Sequence, residues 1–228
     1  MAEPEEPQSV SPWLRLIRVR FFWLLASLVG FVLVAPALPN STSGQWEVLT
    51  LSLLNFFAAS YVSQGMNRIR AVILLALALI LLSGCYFFLG YSDWLLVAML
   101  VVVLITVLYT AGCVLSYVLN GGRVGTEHIF GAICAYVMIA MAFATLFFLL
   151  ELLVPGSFSG GHFSIRTDRP WWEFLYFSFS TLSTVGYGDI VAITMRARSL
   201  VILEELVAVF YVAILISRLT GMYHTNYE

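Results

Sequence analysis

The sequence predicts an all-α membrane protein: six transmembrane helices, with a short re-entrant helix and loop between the fifth and sixth. Three observations predict it. Of the 228 residues, 61% are hydrophobic and only 11% are charged. That is more apolar surface than a water-soluble domain of this length needs, so the solvent is a bilayer. Apolar runs long enough to span recur along the chain, separated by short polar or glycine-rich breaks. The one long connection, 154–198, carries a helix signal too short to cross.

Residues 1–12 hold Glu3, Glu5, Glu6 and three prolines and read as a disordered tail. Arg15, Arg18 and Arg20 then anchor a first apolar run, 21–38. A cleaved signal peptide ending at Ala35-Pro36-Ala37 is the rival reading, but the run is long for one. A polar turn follows at 40–45, where Asn40-Ser41-Thr42 matches the glycosylation sequon. The second run, 47–66, contains Asn55, Ser60, Ser63 and Gln64, expected to face other helices rather than lipid. Residues 67–70 end it. The third run is 71–90, closed by a turn at Gly90-Tyr91-Ser92-Asp93. The fourth is 94–119, ending at Asn120-Gly121-Gly122-Arg123.

Thr126 is the expected N-cap of a fifth run, 127–153, and Pro155-Gly156 stops it. Residues 157–161 read as a flexible turret. Asp168-Arg169-Pro170 signals a helix start, with proline near the first helical position. The helix 171–182 is then roughly 18 Å long, too short for a hydrocarbon core of about 30 Å. It must go in and come back. The sixth run is 199–219. The chain so divides into a tail and anchor, 1–20, a four-helix domain, 21–122, and a re-entrant domain, 123–222.

All eleven basic residues are arginine. If the six runs alternate, Arg15, Arg18, Arg20, Arg68, Arg70, Arg123 and Arg218 fall on one side; Arg166, Arg169, Arg196 and Arg198 break the pattern, but lie in the long re-entrant segment, where the rule is weaker. The short loops 39–46 and 90–93 on the other side have none. The positive-inside rule puts both termini in the cytoplasm. No basic patch suits nucleic acid. Cys85, Cys113 and Cys134 sit inside apolar runs as small hydrophobes. His128, His162 and His224 are scattered without metal-ligand spacing. No nucleophile–base signature appears, so an enzyme is not expected.

The re-entrant loop carries the chemistry. Thr184-Val185-Gly186-Tyr187-Gly188-Asp189 has glycines at alternate positions. Alternating Gly lets successive carbonyls point one way, because it admits backbone conformations that side chains forbid. Such a ladder of oxygens can replace the water around a bare monovalent cation. Backbone of this kind survives at membrane depth only when protein or water surrounds it. One strand supplies one oxygen per layer from one side, so several chains around an axis are needed, with a homotetramer the expected solution. The C-terminal end of the re-entrant helix would add a partial negative charge towards a central cavity.

This stretch resembles the TVGYG filter of potassium channels, complete and followed by the usual Asp. The resemblance implies K⁺ bound by carbonyls of Thr184, Val185, Gly186 and Tyr187 with the Thr184 hydroxyl. Gly186 and Gly188 would permit the twist, while Tyr187 and Asp189 would hold the outer end. The chain departs from the family pattern at Tyr176, where many members have Trp, and at Ser180, where some have Glu. It departs again at Ala192 in place of Pro, and at Ala208 in place of the inner-helix hinge glycine. Val209, Val212, Ile216 and Thr220 recur at three- or four-residue steps, and by family alignment would line the pore.

Tyr176, Ser180, Ser183, Glu204 and Glu205 are the candidate filter supports. Glu204 and Glu205 lie about two turns into the sixth run, where a carboxylate is costly and suggests function. Either one of them hydrogen-bonds hydroxyls of the re-entrant helix, such as Ser180 or Ser183, and braces the filter, or both stay near the outer interface and meet water or Arg198.

Four helices before such a unit resemble the layout of voltage-gated channels, but no basic residue lies between Arg70 and Arg123. Moving one charge through 100 mV yields about 2.3 kcal/mol, so steep voltage gating needs several charges. Little intrinsic voltage dependence is expected.

Further cues are Gly122-Arg123-Val124, the run Ile129-Phe130-Gly131-Ala132-Ile133-Cys134-Ala135-Tyr136, and Pro155-Gly156-Ser157-Phe158. Phe174-Leu175-Tyr176-Phe177-Ser178-Phe179 and Ala197-Arg198-Ser199-Leu200 add to them. Together they resemble small bacterial six-helix potassium-channel family proteins. That implies an inner-membrane location, with K⁺ ions in the filter, lipid as surroundings and no other cofactor. A non-conducting channel-like subunit and a filter-loop cation transporter are the alternatives, the latter normally built from four unlike loops in one long chain. About nine residues follow the sixth run, so no C-terminal sensor domain is expected.

Overall fold

The computed structural model describes residues 20–34, 66–88, 93–120, 125–160 and 170–224. Its elements are helices α1 (Arg20–Val34), α2 (Met66–Phe88), α3 (Asp93–Asn120) and α4 (Thr126–Leu153), then strand β1 (Phe158–Gly160). Helix α5 (Pro170–Leu182), strand β2 (Ile190–Ala192) and helix α6 (Met195–His224) complete it. Among the described residues three helices are long and apolar enough to cross a membrane, within α3, α4 and α6; Phe21–Leu33 and Ile73–Cys85 are shorter apolar helices. The expected second run, 47–66, lies outside the described residues except for Met66.

Several boundaries move, each for a local reason. Residues 67–70 do not break the chain but form the first turns of α2. Thr126 is the first helical residue of α4 rather than its cap. Gly125 takes the cap position with extended backbone, and its N–H donates to His128 Nδ1 at 3.3 Å. Helix α6 starts four residues before the expected 199. Thr194 begins it, its Oγ1 accepting the Ala197 amide at 3.3 Å in the manner of an N-cap.

The expected flexible turret is ordered where it is described. Phe158, Ser159 and Gly160 pair antiparallel with Ala192, Val191 and Ile190. The Glu151 carboxylate fixes the approach by accepting the amides of Gly156 at 2.7 Å and Phe158 at 3.1 Å. The Ser157 carbonyl accepts the amides of Ile193 and Thr194 at 2.8 and 3.3 Å. The end of α4 is thereby stitched to the segment that follows the re-entrant loop.

Two apolar clusters hold the helices together. Phe21, Leu24 and Leu28 of α1 meet Val114 and Val118 of α3 and Ala132, Ala135 and Met138 of α4. Gly131 lets α3 come close, since a Cβ there would stand 2.9 Å from a Val118 methyl. The second cluster is aromatic and carries α5. Phe147 and Phe148 of α4, Phe158 of β1, and Phe174 and Phe177 of α5 are all buried together. Phe158 meets Phe174 edge-on with centroids 5.2 Å apart, and Phe147 meets Phe177 at 5.3 Å. Trp171 Nε1 donates to Thr145 Oγ1 at 3.2 Å. These contacts seat a 13-residue helix, about 20 Å long at 1.5 Å per residue, against α4.

Candidate functional site

The loop 183–189 begins where α5 ends. The last carbonyls of a helix have no intrahelical partner, and here the loop's own amides supply one. Ser183 N–H donates to Phe179 O at 3.0 Å and Thr184 N–H to Thr181 O at 2.9 Å. Val185 and Gly186 N–H both donate to Ser180 O, at 2.9 and 3.1 Å. Four successive N–H groups thus turn back onto α5. Because a trans peptide sets its C=O opposite its N–H, the carbonyls of those peptides, Thr184 and Val185 among them, face away from the helix.

The backbone continues the pattern. Thr184, Gly186 and Gly188 have φ of 60°, 56° and 76°, whereas Val185 and Tyr187 between them do not have positive φ. In an ordinary strand successive carbonyls alternate sides; alternating the hand of successive residues cancels that alternation. A non-glycine residue with positive φ is uncommon, so Thr184 is held there by its surroundings. Among the described residues no hydrogen bond uses the carbonyls of Thr184, Val185, Gly186 or Tyr187. Residues 183–189 are exposed on the single chain.

The outer end is fixed by aromatic and backbone contacts. Tyr187 stacks on Tyr176 with centroids 6.0 Å apart and planes 8° from parallel. The Tyr176 phenol lies beside the Asp189 carboxylate, whose influence raises its pKa above the ordinary value. Asp189 Oδ1 accepts the Ile190 amide at 3.0 Å.

The proposed supports separate into those that reach the loop and those that do not. Ser180 supplies its carbonyl, but its hydroxyl is spent on Phe177 O at 2.9 Å. The Ser183 hydroxyl bonds Phe179 O at 2.6 Å. Neither hydroxyl meets a glutamate. Glu204 is fully buried, and its Oε1 pairs with a hydroxyl of α5, that of Ser178 rather than Ser180 or Ser183. Ser178 Oγ also stands 2.9 Å from the Ala140 carbonyl. Glu205 is exposed on the chain.

Glu204, Ala208 and Tyr211 follow one another at helical spacing and face the chain's own helices. Ala208 packs with Ala140 and Leu182, and the Tyr211 hydroxyl donates to Ala132 O. Glu205, Val209, Val212 and Ile216 share the adjacent stripe, which is exposed. Phe210 and Ile214 are exposed as well, so exposure alone does not single that stripe out. Thr220 lies in α6, its side chain outside those described.

Three residues of the site escaped the sequence reading. Ser178 looked like its neighbours Ser180 and Ser183. Glu151 carried the same signal as Glu204, a carboxylate within an apolar run. Gly160 adopts φ 104°, and a Cβ there would fall 1.9 Å from Asp189 O, so only glycine admits this approach.

A chain whose described part holds three spanning-length helices and a short helix returning through an open-carbonyl loop is an integral membrane protein. Residues 133–224, from two turns into α4 through the end of α6, match the model of a family described as "Ion channel", which supports an ion channel. Neither a curated protein nor a solved structure matches the chain.

Proposed function

We propose that the protein is a passive, potassium-selective channel. The observation that carries this reading is the loop backbone: positive φ at Thr184, Gly186 and Gly188 with intervening residues of opposite hand, and amides tied back to α5. That backbone offers oxygens in succession on one side, which is what a dehydrating monovalent cation requires. Thr184, Val185, Gly186 and Tyr187 coordinate K⁺, with Gly188 and Asp189 closing the outer mouth.

The chain alone leaves these oxygens exposed, and backbone of this kind at membrane depth needs walls. Four copies about an axis supply them. In that assembly Val209, Val212, Ile216 and Thr220 line the inner pore. Both termini lie in the cytoplasm of an inner membrane. With no basic residue from 71 to 122, conduction has little intrinsic voltage dependence.

Purified protein in liposomes tests this. A K⁺ gradient is expected to drive flux that a Na⁺ gradient does not, and Gly186→Ala abolishes the difference. Equal flux of both ions, or none from a well-folded preparation, refutes the reading.

A further inference from the structure

Glu204 is 0% exposed, and among the described residues its Oε2 has no hydrogen-bond partner. No cation pairs with it among the described residues. The titratable groups that feel its charge are Glu205 on its own helix and Tyr136 on α4; α5 contributes only the hydroxyl of Ser178. Neither of those titratable groups can neutralise a carboxylate. An ionised carboxyl buried without a partner is among the costliest arrangements in a protein, and such a group takes up a proton instead.

Counting hydrogens leads to the same place. Ser178 has one hydroxyl hydrogen and two close oxygens, Ala140 O at 2.9 Å and Glu204 Oε1. Were Glu204 ionised, both oxygens would be acceptors competing for that hydrogen, and one close O···O pair would have none. With a proton on Oε1 every contact is served. Glu204 O–H donates to Ser178 Oγ, and Ser178 O–H donates to the Ala140 carbonyl. A three-member chain then runs from α6 through α5 to α4.

Its place gives it leverage. Ser178 lies two residues before Ser180, whose carbonyl holds the amides of Val185 and Gly186. We propose that Glu204 is a proton-binding site that couples pH to conduction: the protonated side chain ties α6 and α4 to α5 and holds the filter in its conducting form, and loss of the proton releases it. The proposal rests on the channel reading above for its output, not for the proton itself. The sign follows from the neutral form being the one that fits. The tie is intact while Glu204 keeps its proton and is lost when rising pH removes it.

Two measurements test it on the full-length protein in liposomes. The first is infrared spectroscopy, following the protonated-carboxyl stretch. That band is expected at neutral pH, to survive Glu205→Gln, to vanish in Glu204→Gln, and to titrate away in alkali. The second is K⁺ flux against pH. Flux is expected to fall about tenfold per pH unit beyond the midpoint, as for one proton, and the fall to disappear in Glu204→Gln, whose amide can still donate to Ser178. Absence of the neutral-pH band overturns the proposal whether or not the protein conducts. A band with a flux profile identical in wild type and Glu204→Gln overturns the coupling. A band without any flux from folded protein defeats the channel reading and leaves the proton site standing. Should Glu204→Gln not fold, the wild-type band and its survival in Glu205→Gln still decide.

Discussion

Replacing Gly160 by alanine should loosen the Asp189 end of the loop 183–189, and the structure gives the size of the effect. At φ 104° a side chain is strained whatever the space around it; left-handed backbone costs an L-residue about 1–2 kcal/mol. The new methyl would also fall 1.9 Å from Asp189 O and 2.9 Å from its carbonyl carbon. Those atoms are backbone immediately before β2, so no rotamer change relieves the overlap. Overpacking of this kind costs about 1–3 kcal/mol. The sum is about 2–5 kcal/mol, released only by parting β1 from β2.

Gly156 supplies the control. It has φ 84° with nothing within 4 Å of an added Cβ, so Gly156→Ala carries the conformational cost alone. Unfolding of the two variants in denaturing detergent should therefore separate them by about 1–3 kcal/mol, with Gly160→Ala the weaker. Its K⁺ flux should also decay faster, because the displaced atom is the carbonyl next to Gly188 of the proposed filter. Equal stability of the two variants would show that the strand pair does not hold Asp189 in place.

Other perturbations reach the same unit from different sides. Glu151→Gln leaves one acceptor where two amides at 2.7 and 3.1 Å now find one each, and should cost about 1.5–3 kcal/mol, read by the same unfolding assay; no loss would mean the turn stands unaided. Phe174→Ala empties the centre of the aromatic cluster that seats α5 and should cost about 3–5 kcal/mol, with a fall in assembled protein on gel filtration. A fully assembled, equally stable variant would contradict that packing role. Gly186→Ala meets no neighbour on the single chain but inherits φ 56°, so it should leave the fold of α5 intact in circular dichroism while removing ion selectivity. Retained selectivity would show that the left-handed residue is dispensable.

Much of this was legible in the residues because the signals were local. Pro170 marks the first residue of α5, and alternating glycines mark a loop whose backbone reverses hand at each step. What was not legible depended on orientation. Ser178, Ser180 and Ser183 are equally polar, and only packing of α5 against α4 and α6 decides which of them meets Glu204. Gly160 sits in a glycine-rich stretch that reads as slack chain; its close approach to Asp189 exists only once β2 is in place. Thr194 starts α6 early because a hydroxyl cap does not announce itself within an otherwise irregular segment. Glu204 stood out as a carboxylate in an apolar run, but its hydroxyl partner did not; Glu151 carries the same signal and went unread, with the two amides it holds.

The central claim is that peptide oxygens of 184–187 stand in for the water of a potassium ion. Reversal potential under bi-ionic conditions, with K⁺ on one side of a planar bilayer and Na⁺ on the other, tests it most directly. A reversal potential displaced strongly in the direction set by K⁺ is expected. A reversal at zero, with current flowing, would contradict it.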